Sequence, residues 1–187
     1  MEQTSTRVVY RNAWMTVRED QIRHLDGTPG LYGVVEKPDF ALVLPRWENG
    51  FWLVEQYRYP VRRRAWEFPQ GGWGQGAGGT SAELARSELA EETGLRAGEL
   101  THLGHLYEAY GYSTQGFDVY LATGLTAGEP DREPGEQGMV HRRFTDEEVD
   151  RAIRTGLMVD APSLAALTLY RLAVTRADDR AGRPDAE

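Results

Sequence analysis

Residues 66–95 read WEFPQGGWGQGAGGTSAELARSELAEETGL, and this stretch decides the fold. Its first half, from Trp66 to Gly79, is a long glycine-rich loop. Its second half is a helix. Thr80 and Glu83 form a T-x-x-E capping box, which satisfies the N–H groups left unpaired at a helix start. Helix-forming residues run from Ser81 to Thr93, and Gly94 is a natural stop because glycine takes the left-handed conformation just beyond a helix end. Ala82, Ala85 and Leu89 form the apolar side. Glu88, Glu91 and Glu92 stand at i, i+3 and i+4, so at about 100° per residue they share one arc. Like charges at this spacing repel. The residues three and four positions from Glu88 are Leu84, Ala85, Glu91 and Glu92, none of them basic. A divalent cation would offset the repulsion, and magnesium prefers carboxylate oxygens, waters and substrate phosphates. A solvated acidic face is the alternative. The loop argues for a site: glycines let backbone approach a ligand, and a helix N-terminus favours anions.

Upstream, the pattern is β. TRVVYRN, AWMTVRED, LYGVVEK, FALVLPRW and FWLVEQYRY are rich in β-branched and aromatic residues and are separated by turn-forming residues. ALVLPRW and FWLVEQY flank Glu48-Asn49-Gly50 as a hairpin. The consecutive apolar run FALVL predicts a strand buried on both faces. Downstream, LTHLGHLYEA, GFDVYLAT and MVHRRF read as strands, with a glycine, proline and acid-rich loop over 124–138. Thr145 and Glu148 repeat the capping box and open a helix ending near Gly156; Asp160 or Ser163 caps a last helix. Many strands, one helix, more strands and then helices predict a mixed α+β sandwich rather than a doubly wound sheet. We divide the chain into an N-terminal β extension (1–37), a main domain (38–176) and a polar tail (177–187) expected to be disordered.

Composition narrows the classes. The length of 187 residues suffices for a real core. A net charge of −8 opposes non-specific nucleic-acid binding, though Arg62, Arg63 and Arg64 make a local basic cluster beside the loop. With no cysteine, any metal must be held by oxygen or imidazole. His102 and His105 lie three apart in an alternating stretch and are expected to face opposite ways. The polar N-terminus and the lack of a long apolar run give a cytoplasmic expectation and no membrane span.

Ser87-Glu88-Leu89-Ala90-Glu91-Glu92-Thr93-Gly94-Leu95 resembles the second half of the Nudix hydrolase signature. LVEQYRYPVRRRAWEFPQGG and GLMVDAPSLAALTLYRLA resemble flanking segments of its ADP-ribose and nucleoside-diphosphate-sugar branch, so the similarity spans roughly residues 6–175. The resemblance implies an α/β/α sandwich around a mixed central sheet, with the N-terminal antiparallel extension. It implies metal-dependent hydrolysis of the diphosphate of a nucleoside diphosphate linked to another moiety, ADP-ribose or a related sugar nucleotide first. Mg2+ is the expected cofactor, with Mn2+ as a substitute. The branch is commonly homodimeric, and the expected partner is a small nucleoside diphosphate derivative. W-x-F-P-Q-G-G also resembles dinucleoside polyphosphate and capped-RNA hydrolases.

Two positions depart from the family pattern. Ser87 stands where the family has arginine, and Gly79 where it has its first glutamate; the loop is also about two residues longer. In the family those two side chains form a salt-bridged scaffold beneath the metal ligands. The departure admits two alternatives, a replaced scaffold under a working metal face or a weakened nucleotide-binding module. On the resemblance, Glu88, Glu91 and Glu92 are the metal ligands, with a backbone carbonyl at Gly71 or Gly72. The general base is assigned to the loop REPGEQG, to Glu136 ahead of Glu133, with Glu91 as the alternative. Arg58 is a phosphate-binding candidate, and Tyr110 and Ser113 are substrate-loop candidates.

Overall fold

The computed structural model describes residues 1–74, 78–132 and 138–181. Three strands, β1 (Glu2–Arg11), β2 (Thr16–Arg23) and β3 (Pro29–Glu36), form an antiparallel N-terminal sheet. Then come β4 (Phe40–Trp47), β5 (Gly50–Arg58), β6 (Arg63–Glu67) and β7 (Gln70–Gly71), followed by α1 (Ser81–Thr93). β8 (Glu99–Tyr107), β9 (Gly116–Thr123) and β10 (Val140–Thr145) complete the strands, and α2 (Asp146–Arg154) and α3 (Ala161–Ala181) follow. The second sheet runs β10-β5-β4-β9-β8, with β6 on β5 and β7 on β4. β4 and β9 are parallel while the other pairs are antiparallel, so this sheet is mixed.

Strand β4 is the centre of the sandwich. Ala41 and Val43 point to one face and meet Leu84, Ala85 and Leu89 of α1. Leu42 and Leu44 point to the other and meet Val149 and Ala152 of α2 and Ala166 and Leu167 of α3. All four β4 residues have no exposed surface, as the unbroken FALVL run predicts. Each such valine or leucine contributes about 1.5–3 kcal/mol of burial. The result is the expected α/β/α sandwich.

Helix α1 has the predicted bounds. Thr80 and Glu83 make both reciprocal capping bonds, and Gly94 closes the helix at φ 74°. The last helix begins with Asp160 accepting the Ser163 N–H at 2.9 Å. It runs to Ala181, past the point at Ala177 where the polar tail was expected to start, because the added residues still include helix formers. Residues 182–187 lie outside the described residues.

Two expectations need correcting. The stretch 66–79 is not all loop: Trp66 and Glu67 end β6, and Gln70–Gly71 pair with β4 as β7. His102 and His105 do not face apart. A register shift between His102 and Gly104 inserts a bulge, and both rings reach Asp118 Oδ1, at 2.9 and 3.3 Å. A bulge breaks the two-residue alternation on which the expectation rested.

The last strand of the N-terminal sheet bonds to the loop between β8 and β9. Val35 N–H donates to Tyr112 O at 2.8 Å, and Thr114 N–H returns a bond to Val35 O at 3.0 Å. Tyr32 Oη adds a bond to Gly111 O at 2.6 Å. Among the described residues no helix is long and apolar enough to cross a membrane.

Candidate active site

A cleft of about 660 Å³ opens between β7, the loop following β8 and the start of α3. Its wall includes Lys37, Phe40, Arg58, Arg63, Glu67, Gln70, Gly71, Gly72, Tyr112, Gln115 and Asp160. Behind the wall, α1 turns its acidic face inward. Glu92 is 1% exposed and Glu88 7% exposed, so both carboxylates are withdrawn from water. Gln70 N–H donates to Glu92 Oε2 at 3.3 Å, tying β7 to α1. Glu88 packs against the backbone of Gly71. A Cβ on Gly71 would lie 2.6 Å from Glu88 Oε1 and closer still to Oε2, so any side chain there must displace that carboxylate. Gly71→Ala is therefore expected to push Glu88 aside and cost at least about tenfold in kcat/KM, with a smaller loss of stability. A variant with wild-type kinetics would show that the Glu88 position is not used.

The three glutamates of the arc do not stay together. Glu88 and Glu92 face β7, while Glu91 lies half buried and accepts the Ser87 hydroxyl at 2.5 Å. Glu91 lines a separate hollow with Glu83, Arg86, Arg96 and Asp131. The structure also shows what stands near the two altered family positions. Ser87 bonds Glu91, and the Glu83 carboxylate lies 2.8 Å from where a Cβ on Gly79 would be. The capping-box glutamate thus places a carboxylate beside the backbone of Gly79.

The C-terminal end of α1 is held by the segment that precedes β10. Asp131 N–H donates to Glu91 O at 3.0 Å, and Arg132 Nε donates to Glu92 O at 3.1 Å. Arg132 Nη2 also donates to His141 Nδ1 at 2.8 Å, so that nitrogen must be unprotonated. Burial, then the charge of Arg132, holds the His141 pKa below its ordinary value. The unfolded chain therefore binds the His141 proton more readily than the folded one. Stability from this contact is present above the ordinary histidine range and is lost as pH falls through it toward the lowered folded value. His141→Gln should flatten the fall of Tm between about pH 7 and pH 5.5 relative to wild type. Parallel Tm profiles would remove His141 as the cause.

Beneath the cleft lies an ion pair that sequence reading missed. Glu67 is 1% exposed and accepts from Arg58 Nη2 at 2.5 Å, Arg58 Nε at 3.2 Å and Gln56 Nε2 at 2.8 Å. Burial opposes the Arg58 charge, but the attraction and hydrogen bonds of Glu67 hold its pKa above the ordinary value. Burial raises the Glu67 carboxyl, and Arg58 offsets only part of that. Arg58 does line the cleft, as a phosphate-binding residue must, yet two of its three nitrogens are committed to Glu67.

The other candidates fall as follows. Gly72 is on the cleft wall beside Gly71. Tyr110 is 85% exposed and does not line the cleft; its neighbour Tyr112 does. Ser113 accepts the Gln115 N–H at 3.2 Å and shapes the loop, and Gln115 reaches the wall. In the basic cluster, Arg63 donates to Gly156 O at 2.6 Å and Arg64 to Glu55 Oε2 at 2.7 Å, so both make structural bonds. Trp66 and Trp73 pack against the two cores. Glu133 and Glu136 lie outside the described residues. Asp160, read as a helix cap, also accepts from Gln70 Nε2 at 2.9 Å and so joins the wall. The acid between two large aromatics in Trp66-Glu67-Phe68 was the available sign of a buried charge.

Residues 1–35 match the nucleoside diphosphate sugar hydrolase N-terminal domain, and residues 36–165 match the NUDIX domain. An ADP-ribose pyrophosphatase of Mycobacterium tuberculosis (strain ATCC 25618 / H37Rv) is 31% identical over 176 residues, covering 93% of this chain and 84% of that one. An ADP-ribose pyrophosphatase of Bacillus subtilis (strain 168) is 29% identical over 141 residues, covering 74% and 75%. The crystal structure of an ADP compounds hydrolase superposes with a TM-score of 0.81 at 20% identity, over 95% of this chain and 96% of that one, which shows the shared fold. The chain belongs to the Nudix family and is a Nudix pyrophosphohydrolase that carries the nucleoside diphosphate sugar hydrolase N-terminal domain ahead of its NUDIX domain.

Proposed function

We propose that the protein hydrolyses the diphosphate bond of a nucleoside diphosphate joined to a sugar, ADP-ribose first, giving a nucleoside monophosphate and a sugar phosphate. The observation that carries this reading is the pair Glu88 and Glu92, buried one turn apart, Glu88 against the backbone of Gly71 and Glu92 on the N–H of Gln70, two residues of the cleft wall. The relatives named ADP-ribose pyrophosphatase support the choice of substrate.

The residues fit a divalent ion of the kind that Nudix hydrolases generally need. Their donors are hard carboxylate oxygens, with Glu67 and Asp160 adding negative charge nearby. Among the described residues no three acidic or imidazole groups form a ready-made cage. Magnesium can be held by one or two carboxylates, with water and substrate phosphate in its remaining positions. Glu88 and Glu92 would hold it, with the carbonyl of Gly72 as a further oxygen donor. Bound there, it supplies charge neutralisation of the diphosphate and a more acidic water. The protein does the rest. Lys37, Arg58 and Arg63 lie on the cleft wall and attract the substrate's phosphates. Gly71 sets the depth of Glu88. Glu136 accepts the proton of the attacking water in this proposal, with Glu133 as its alternative.

The test is a panel of ADP-ribose, GDP-mannose, UDP-glucose, NADH and diadenosine polyphosphates, each with magnesium and with manganese. Turnover highest with ADP-ribose or another sugar nucleotide supports the proposal. Preference for a dinucleoside polyphosphate sinks it, and so does metal-dependent binding with no product. We further propose a homodimer joined through the N-terminal sheet. β1 is exposed along its whole length, and Val8, Val9, Tyr10 and Trp14 leave apolar surface in water. Light scattering that returns a single-chain mass would refute it.

A further inference from the structure

Of the 21 lysine and arginine residues in the chain, only Lys37 is lysine. It is exposed, and it lies on the cleft wall. The two arginines of that wall are partly committed. Arg58 gives Nε and Nη2 to Glu67, at 3.2 and 2.5 Å, and Arg63 gives Nη2 to Gly156 O at 2.6 Å. The Lys37 ammonium makes no hydrogen bond or ion pair among the described residues and stands in solvent at the cleft. Its backbone, by contrast, is held on both sides. Ahead of it, Val35 exchanges two bonds with the loop between β8 and β9. Behind it, Pro38 O accepts from Gln115 Nε2 at 2.8 Å, and Asp39 Oδ1 accepts the Gly116 N–H at 2.7 Å. Pro38 also keeps Lys37 out of the helical region. The segment then runs against Gly72, where a Cβ would meet Asp39 O at 3.7 Å and Phe40 Cβ at 3.9 Å. Gly72 follows Gly71, the residue against which Glu88 packs. A fixed backbone with a flexible stem thus carries an ammonium beside the part of the wall that borders the carboxylates.

We propose that Lys37 is the specificity-determining cation of the cleft, whose ammonium pairs directly with the diphosphate of the substrate. This rests on the sugar-nucleotide reading above and deepens it. That reading gives Lys37, Arg58 and Arg63 a general attraction for phosphate, and the direct contact falls to Lys37. An ammonium is a compact point charge with rotatable donors, so it can meet a diphosphate without the fixed fork geometry of arginine. The rest of the wall limits how much negative charge the cleft accepts. Glu67, Glu108 and Asp160 line it, with Glu88 and Glu92 buried behind. A single uncommitted ammonium suits a diphosphate. Longer polyphosphate chains bring more negative charge against these carboxylates, which selects against them.

Because Lys37 is the only lysine, it can be labelled selectively. A limiting amine-acylating reagent meets one side-chain amine, and the terminal amine serves as the reference in the same mass spectrum. With magnesium and an uncleavable α,β-methylene analogue of ADP-ribose, acylation of Lys37 should slow by at least about tenfold relative to the terminal amine. ADP should protect as well, and adenosine should not. Equal labelling with and without the analogue overturns the proposal, and so does protection by adenosine that matches ADP. Calorimetry gives a second readout. Lys37→Met should weaken analogue binding by about tenfold to a hundredfold, the worth of one charge-assisted bond, and should flatten its dependence on salt. Lys37→Arg should keep most of the affinity, and both variants should keep the wild-type Tm. Unchanged affinity in Lys37→Met overturns the proposal, as do equal losses in the methionine and arginine variants. Wild-type affinity for the analogue tests the substrate reading separately. If there is none, that reading fails and this inference falls with it. If wild type binds the analogue and Lys37 stays unprotected, this inference alone fails.

Discussion

Arg58→Ala is expected to destabilise the protein by about 3 kcal/mol at about pH 8, and by clearly less at about pH 5. The magnitude follows from what is left behind. Glu67 has a side chain 2% exposed, while Arg58 is 43% exposed. Removing the arginine strands the buried partner and not the accessible one, and a stranded buried charge is among the costliest single changes. The partial exposure of Arg58 puts the expectation at the lower end of the usual range, because water can enter the space. The pH dependence has a definite sign. Burial already raises the Glu67 carboxyl pKa in the folded protein, and losing Arg58 raises it further. Between the ordinary carboxylate value and the raised folded value, the native state binds more protons than the unfolded state. Stability therefore falls as pH rises through that window and recovers as pH falls. Urea unfolding across this range checks both parts. A loss that is small and flat with pH would mean that Gln56 and water suffice for Glu67. A large drop in kcat/KM at unchanged stability would instead assign Arg58 mainly to the substrate.

The legibility of this chain follows the range of each interaction. Helix α1 was readable to its end residues because its caps, Thr80, Glu83 and Gly94, lie within the helix or beside it. The double burial of β4 was readable from five consecutive letters. What was not readable depends on residues far apart in the chain. Arg58 and Glu67 meet across the β5–β6 pairing, and Gln70 meets Asp160 across 90 positions. His102 and His105 share a side through a bulge at Gly104, whose lone glycine inside a strand was the local sign of it. The division of the acid arc also needed the packing partner: spacing puts Glu91 with Glu88 and Glu92, but only the approach of β7 decides which two are buried. The altered positions Ser87 and Gly79 looked like a missing scaffold in the sequence. In three dimensions Ser87 bonds Glu91, and Glu83 borders Gly79.

That division makes the second large prediction specific. Glu92→Gln and Glu88→Gln are each expected to lower kcat by about 10²-fold or more, while Glu91→Gln costs about tenfold or less. The substitution keeps the shape and removes the charge, so the fold should persist. The Glu92 variant can still accept the Gln70 N–H through its amide oxygen, which preserves the β7 contact. The loss of kcat should exceed what any change in Tm accounts for, which a purely structural pair would not show. The double variant should lose little more than the worse single one, because groups that hold one ion act as a unit. Magnesium titration of activity completes the test: a loss of activity with an unchanged magnesium midpoint would remove Glu88 and Glu92 as ligands. If Glu91→Gln proved as damaging as Glu92→Gln, the three acids would act as one face after all. The hollow that Glu91 lines would then belong to the catalytic site, and the bond from Ser87 would be part of how that glutamate is held.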